Sequence, residues 1–195
     1  IMTGFGRTGR NFAVDHWNVE PDIIVAGKGI ASGYMPLGAV IVTRKIVDAI
    51  ARGSGSLVHG FTYNAHPVAV AAGRAVLKKI VTENLVQIAR DTGEPQQLGT
   101  PMRIALQTLR QCRSVGDIRG LGLLWAVEFA EAATTKPYDP SLQYAATVAK
   151  VAAERGVLTY PMQGCVDGIL GDHLLLAPPA VTSATDLEWA VEQLK

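Results

Sequence analysis

Residues 22–26, Asp-Ile-Ile-Val-Ala, form a short β-branched run between Pro21 and Gly27, and no other segment constrains the fold as tightly. Side chains branched at Cβ suit a pleated surface, and the flanking proline and glycine stop the run at strand length. The run predicts a buried strand ending at Gly27-Lys28-Gly29. A second apolar run, residues 37–43, follows the turn Gly33-Tyr34-Met35-Pro36 and predicts another strand.

Helical text follows. Residues 44–51 predict a short helix, and Arg52-Gly53-Ser54-Gly55-Ser56 a flexible loop. Pro67 fits a first helical turn, where its missing N–H costs nothing, and the Ala-rich run behind it predicts one long, largely buried helix to about Arg90. Residues 91–101 hold two prolines and two glycines, which makes them the expected domain boundary. Beyond it, residues 102–112 carry apolar side chains at helical spacing. Residues 115–129 read as two strands about Gly120-Leu121-Gly122, with Leu123, Trp125, Val127 and Phe129 alternating as a half-buried strand does. A helix over 141–155 capped by Gly156, strands at 157–160 and 173–177, and a helix over 185–194 complete an α+β pattern.

Composition narrows the function classes. Of 195 residues 48% are hydrophobic and 18% charged, with a net charge of +1, so the chain has the apolar surface to offset its ordering entropy. The balanced charge gives no footprint for nucleic acid. Apolar stretches such as 38–42 and 68–72 are far shorter than the roughly 20 residues of a membrane span, so no membrane partner is expected. Cys112 and Cys165 have no x-x-C partner and are expected as reduced thiols, which places the protein in the cytoplasm.

Several segments offer chemistry. Residues 4–9, Gly-Phe-Gly-Arg-Thr-Gly, match G-x-G-x-x-G, but a dinucleotide site needs a strand before the first glycine and a helix at the last. Only three residues precede the loop, and residues 12–17 followed by Pro21 make a poor helix, so a structural loop is expected. Its early arrival also suggests a chain that begins inside a larger unit. Lys28 stands at the carboxyl end of a strand, where α/β sheets bind ligands, and a desolvated lysine there can act as a nucleophile. A solvent-exposed turn lysine is the plain alternative. A P-loop is not, since Gly29 stands where Ser or Thr is required. Residues 59–67, His-Gly-Phe-Thr-Tyr-Asn-Ala-His-Pro, lead into the long helix and read either as a phosphate site using Thr62 and free N–H groups, or as an ordinary helix start. His59 and His66 lack a Cys or carboxylate cluster, so no metal is expected. Asp15-His16 reads as packing, and Ser32 and Ser54 sit in no nucleophile elbow.

Taken in order, residues 3–9, 21–29, 34–39, 59–62 with 64–67, 115–120 with Gly122-Leu123, and 172–179 (Asp-His-Leu-Leu-Leu-Ala-Pro-Pro) resemble the class III aminotransferases, pyridoxal-phosphate enzymes of fold type I. The resemblance covers nearly the whole chain. It implies an α/β fold in which residues 1–95 are the carboxyl-terminal part of the cofactor-binding large domain and residues 96–195 a small α+β domain. It implies that Lys28 forms the Schiff base with pyridoxal 5'-phosphate and moves the proton. Phe61 and Thr62 would bind the cofactor phosphate across the interface of a homodimer with shared sites. The expected activity moves an amino group from an amine or ω-amino acid to an oxo acid such as pyruvate. Relatives carry further residues ahead of Ile1, among them an Asp that partners the pyridine nitrogen. That expectation leaves an alternative: a catalytically silent piece acting as an assembly surface. Many relatives place an Arg just before the segment at 172–179, where this chain has Ile169-Leu170-Gly171. Arg119 is the substitute to consider for substrate carboxylates, although an Arg before a glycine turn is more often structural.

Overall fold

The two β-branched runs form strands β1 (Ile23–Ala26) and β2 (Ala39–Val42), paired antiparallel with Ile23 opposite Val42 and Ala26 opposite Ala39. The computed structural model describes residues 1–132 and 134–195, and the chain divides into two compact units, Ile1–Gln87 and Ile88–Lys195. In the first unit β1 is buried only at Ala26, while Val25 is 62% and Val40 66% exposed. The expected burial of this strand fails because a two-stranded ribbon presents more apolar surface than short neighbouring segments cover.

Helix α1 (Arg44–Arg52) starts after Thr43, and α2 (Pro67–Thr82) starts with Pro67 in its first turn. The long helix expected to Arg90 stops at Thr82. Asn84 turns left-handed at φ 53°, which a short polar side chain tolerates, and a new helix α3 (Leu85–Gly93) begins. Nor is α2 largely buried: Ala69 and Gly73 are its buried residues. Gly73 is where α2 meets the segment ahead of β2, since a Cβ there would fall 2.6 Å from Leu37 Cδ2.

The second unit is built on one sheet. Helix α4 (Pro101–Gln107) precedes the hairpin β3 (Val115–Leu121) and β4 (Leu124–Phe129). Helix α5 (Tyr144–Glu154), β5 (Tyr160–Met162), β6 (Asp172–Leu176) and α6 (Ala184–Glu192) follow. The strands run in the order β3-β4-β6-β5, every neighbour antiparallel. The hairpin turns at Gly122-Leu123, two residues later than the spacing suggested, because Gly122 takes the positive φ of 56° and Gly120 lies flat under the Trp125 indole.

Alternation along β4 sends Trp125, Val127 and Phe129 to one face, where they meet Met102, Leu106 and Leu109 from α4 and the turn after it, Leu174 from β6, and Leu187 and Val191 from α6. Truncating one such side chain to alanine costs about 2–5 kcal/mol. Helix α6 opens with a reciprocal cap, Ser183 Oγ accepting the Asp186 N–H and the Asp186 carboxylate accepting from Ser183. Gly156, at φ 89°, follows the last turn of α5. The fold is mixed α/β.

Candidate active site

Lys28 sits where β1 ends. Ala26 and Gly27 are buried, Lys28 is exposed, and a single 3-10 turn covers Lys28–Ile30. Gly27 is extended at φ −167°, whereas Lys28 is left-handed at φ 45°. That conformation costs a residue with a Cβ roughly 1–2 kcal/mol. The Lys28 carbonyl accepts the N–H of Ala31 at 3.2 Å and of Ser32 at 3.0 Å, and Gly27 accepts that of Ile30. Glycine at 29 admits the loop at 3–9: a Cβ on Gly29 would lie 3.2 Å from Phe5 Cβ.

The glycine loop is structural in this arrangement. Gly9 N–H donates to Gly6 O at 2.9 Å, and His16 Nε2 lies 3.0 Å from the Thr8 carbonyl oxygen and 3.2 Å from Thr8 Oγ1. A carbonyl can only accept, so Nε2 carries the proton. A cavity of about 250 Å³ beside the loop is lined by Phe5, Phe12, Ile24 and Gly27, and Lys28 does not line it.

Residues 59–67 form the turn into α2. Phe61 is 71% exposed, stands edge-on to His59 with ring centroids 5.1 Å apart, and accepts the Asn64 N–H at 3.0 Å. His66 caps α2, its Nδ1 accepting the Ala69 N–H at 3.4 Å. Thr62 is exposed; among the described residues its hydroxyl and the N–H groups of Phe61 and Thr62 make no hydrogen bond within the chain, and neither residue is bonded to Lys28. Lys28, Phe61 and Thr62 therefore lie in one unit as two separate stations.

Arg119, on β3, is committed elsewhere. Its guanidinium bonds Asp117 at 2.8 Å and also Glu128 across the hairpin, which raises its pKa and holds the Asp117 carboxyl below the usual carboxylate range. Cys165 shares this side of the sheet, its thiol pushed up by burial and then by the Glu128 carboxylate. The structural reading of Arg119 fits this ion-paired network better than a carboxylate-binding role. The sequence marks His173 as the start of a strand, and neither it nor Asp172 as a site residue. Asp172 is fully buried and accepts the Ala145 N–H, and His173 Nδ1 is buried with no hydrogen-bond partner among the described residues. No local sequence signal exposes either fact, because both depend on strands distant in the chain. Among the described residues no group of three or more His, Cys, Asp or Glu is placed to hold a metal ion, and no helix is long and apolar enough to cross a membrane.

The aminotransferase class-III family model matches residues 1–195. The chain belongs to the class III aminotransferases. The uncharacterized aminotransferase YodT of Bacillus subtilis (strain 168) is 35% identical over 190 residues, covering 96% of this chain and 41% of that protein. The diaminobutyrate--2-oxoglutarate transaminase of Halomonas elongata is 33% identical, covering 96% of this chain and 39% of its own length. Among solved structures, a transaminase from the marine bacterium Virgibacillus superposes with a TM-score of 0.89 at 35% identity over 100% of this chain and 42% of that one. An (S)-enantioselective omega-transaminase from Thermomicrobium roseum gives 0.85 at 31% identity, covering 100% and 40%. This class III chain thus spans about two fifths of the length of the relatives it matches.

Proposed function

We propose that the protein carrying this chain is a pyridoxal-phosphate-dependent transaminase that moves an amino group from an amine or ω-amino acid to an oxo acid such as pyruvate, with Lys28 as its reactive amine. The observation that carries this reading is the exposed Lys28 in a left-handed turn between two glycines at the end of β1, in a chain of this family. The donor set suits the cofactor: a primary amine for its aldehyde, and in the turn before α2 a hydroxyl and two amides without partners among the described residues for its phosphate. Bound pyridoxal phosphate supplies an aldehyde and an electron-withdrawing ring.

Lys28 Nζ, once uncharged, would hold the cofactor through its aldehyde and, when free of it, would serve as the base for the proton on the substrate carbon that bears the amine. Thr62 Oγ1–H and the N–H groups of Phe61 and Thr62 would donate to phosphate oxygens. Their exposure and their lack of any bond to Lys28 favour a phosphate bound in the neighbouring copy of a homodimer. Residues 1–95 would be the carboxyl-terminal part of the large domain and residues 96–195 the small domain; the compact units divide a few residues earlier, after Gln87. The free thiols of Cys112 and Cys165 support a cytoplasmic setting. An amine donor is supported by structural neighbours described as omega- and S-selective transaminases.

Lys28→Ala in the protein that carries this chain should lower transamination by about a thousandfold or more. It should also remove the cofactor fixed by borohydride to the peptide containing residue 28. Fixation that persists unchanged overturns the assignment.

A further inference from the structure

A residue with a Cβ stays left-handed only where its surroundings over-determine it, and Lys28 is such a residue at φ 45°. Leu37 and α2 also pack near this turn, but the side of it at Gly29 is covered by one loop. Gly29 lies against Phe5 and Gly4: a Cβ there would sit 3.2 Å from Phe5 Cβ, 3.3 Å from Phe5 Cδ2 and 3.5 Å from Gly4 O. A Cβ on Gly4 would in the same way lie 3.2 Å from the Phe12 ring, and the Phe5 and Phe12 rings meet edge-on with centroids 5.5 Å apart. Phe5 is itself left-handed at φ 56°, so two left-handed residues close on one glycine. The far end of the loop is closed by His16, whose Nε2 reaches both the carbonyl and the hydroxyl of Thr8, a residue only 3% exposed.

We propose that Phe5 is a positioning residue for Lys28: packed on Gly29 and locked through the loop by the His16–Thr8 pair, it holds the Lys28 backbone left-handed and so fixes the direction in which Nζ leaves the end of β1. The proposal rests on the reading of Lys28 as the amine that holds the cofactor. It gives the glycine-rich loop a mechanical task in place of a ligand. Gly29 has no positive φ, so what crowds a side chain there is Phe5 and not the backbone. When the clamp opens, Lys28 relaxes toward the right-handed region, the 3-10 turn loosens, and the bonds from Ala31 and Ser32 to the Lys28 carbonyl open more often.

The test uses the protein that carries this chain, unaltered and as Gly29→Ala, His16→Leu and His16→Gln. Gly29→Ala presses a methyl group against Phe5, His16→Leu removes both bonds to Thr8, and His16→Gln keeps a donor. Two quantities are read: hydrogen exchange at the Ala31 and Ser32 amides, and the rate at which pyridoxal phosphate is trapped by borohydride on Lys28 relative to Lys45, whose side chain is 76% exposed. Gly29→Ala and His16→Leu are expected to speed exchange about tenfold and to slow relative trapping about tenfold, while His16→Gln stays within about twofold of the unaltered protein. Exchange unchanged in both disruptive variants overturns the clamp, as does exchange that rises equally in His16→Gln. If Gly29→Ala does not fold, the two His16 variants decide. Trapping no faster at Lys28 than at Lys45 in the unaltered protein overturns the assignment of Lys28 instead, and the exchange data still decide the clamp.

Discussion

The Asp172 carboxylate, on β6, accepts the N–H of Ala145 in the first turn of α5 at 3.0 Å, and the same oxygen accepts from Gln163 Nε2 at 3.3 Å. Helix α5 has no side-chain cap of its own, since Gln143 at that position is left-handed at φ 45° and contributes no bond. A buried carboxylate from a strand thus does the work of an N-cap.

Asp172→Ala should therefore destabilise the second unit by about 1–3 kcal/mol, because it leaves the Ala145 N–H buried without an acceptor. Asp172→Asn keeps an acceptor and should lose less. Urea unfolding followed by far-ultraviolet circular dichroism ranks the two.

Close packing predicts a sharp contrast between two glycines. A Cβ on Gly93 would lie 1.7 Å from the Gly122 carbonyl oxygen, the atom that accepts the Trp125 indole N–H at 2.8 Å, whereas a Cβ on Gly99 meets nothing within 4 Å. Gly93→Ala should cost about 3 kcal/mol by forcing the hairpin turn away. Gly99→Ala should change stability by no more than about 0.5 kcal/mol, measured by thermal unfolding.

Replacing Lys28 separates strain from chemistry. Lys28→Gly removes a left-handed Cβ and should stabilise the first unit by up to about 1 kcal/mol, whereas Lys28→Ala keeps the strain. Both should lose transamination. A Gly variant no more stable than the Ala variant would contradict the left-handed turn.

The Arg119 hydrogen bond depresses the folded-state pKa of Asp117. Its contribution to stability is then present above the unfolded-state value, about 4, and is lost as pH falls through the lower folded value. Asp117→Asn should be less stable than the unaltered protein near neutral pH, by under about 1 kcal/mol because both side chains are about half exposed. Below that window the urea midpoints of the two should converge.

At Cys165 the sign is opposite. Burial, and then the Glu128 carboxylate, disfavour the thiolate, so alkylation by iodoacetamide at a pH of about 8 should run slower than for a free thiol. Glu128→Gln removes the negative charge and leaves Arg119 nearby. The rate should rise several-fold, as read by mass spectrometry of the Cys165 peptide.

Much of this architecture is legible in residue type alone. The β-branched runs are strands β1 and β2, and the alternation of Trp125, Val127 and Phe129 is the buried face of β4. What escaped reading depends on contacts between distant segments. The break at Asn84 interrupts an apolar rhythm that runs straight through it, and the shift of the hairpin turn to Gly122-Leu123 is decided by Trp125 lying on Gly120. Around Lys28 the two flanking glycines were visible, but the left-handed lysine was not. That conformation is imposed by Phe5, which stands more than twenty positions earlier in the chain and has no local signature.

The strand order of the second unit governs how it can assemble. Strand β6 lies between β4 and β5 although it is the last of the four in the chain, so the β3-β4 hairpin keeps an open edge until residues 172–176 have been synthesised and returned past α5. During that interval the β4 edge offers unpaired backbone groups beside Trp125, Val127 and Phe129, and any extended apolar segment nearby can compete for them. The same strand that closes this edge carries Asp172, so sheet closure and the capping of α5 arrive as one event.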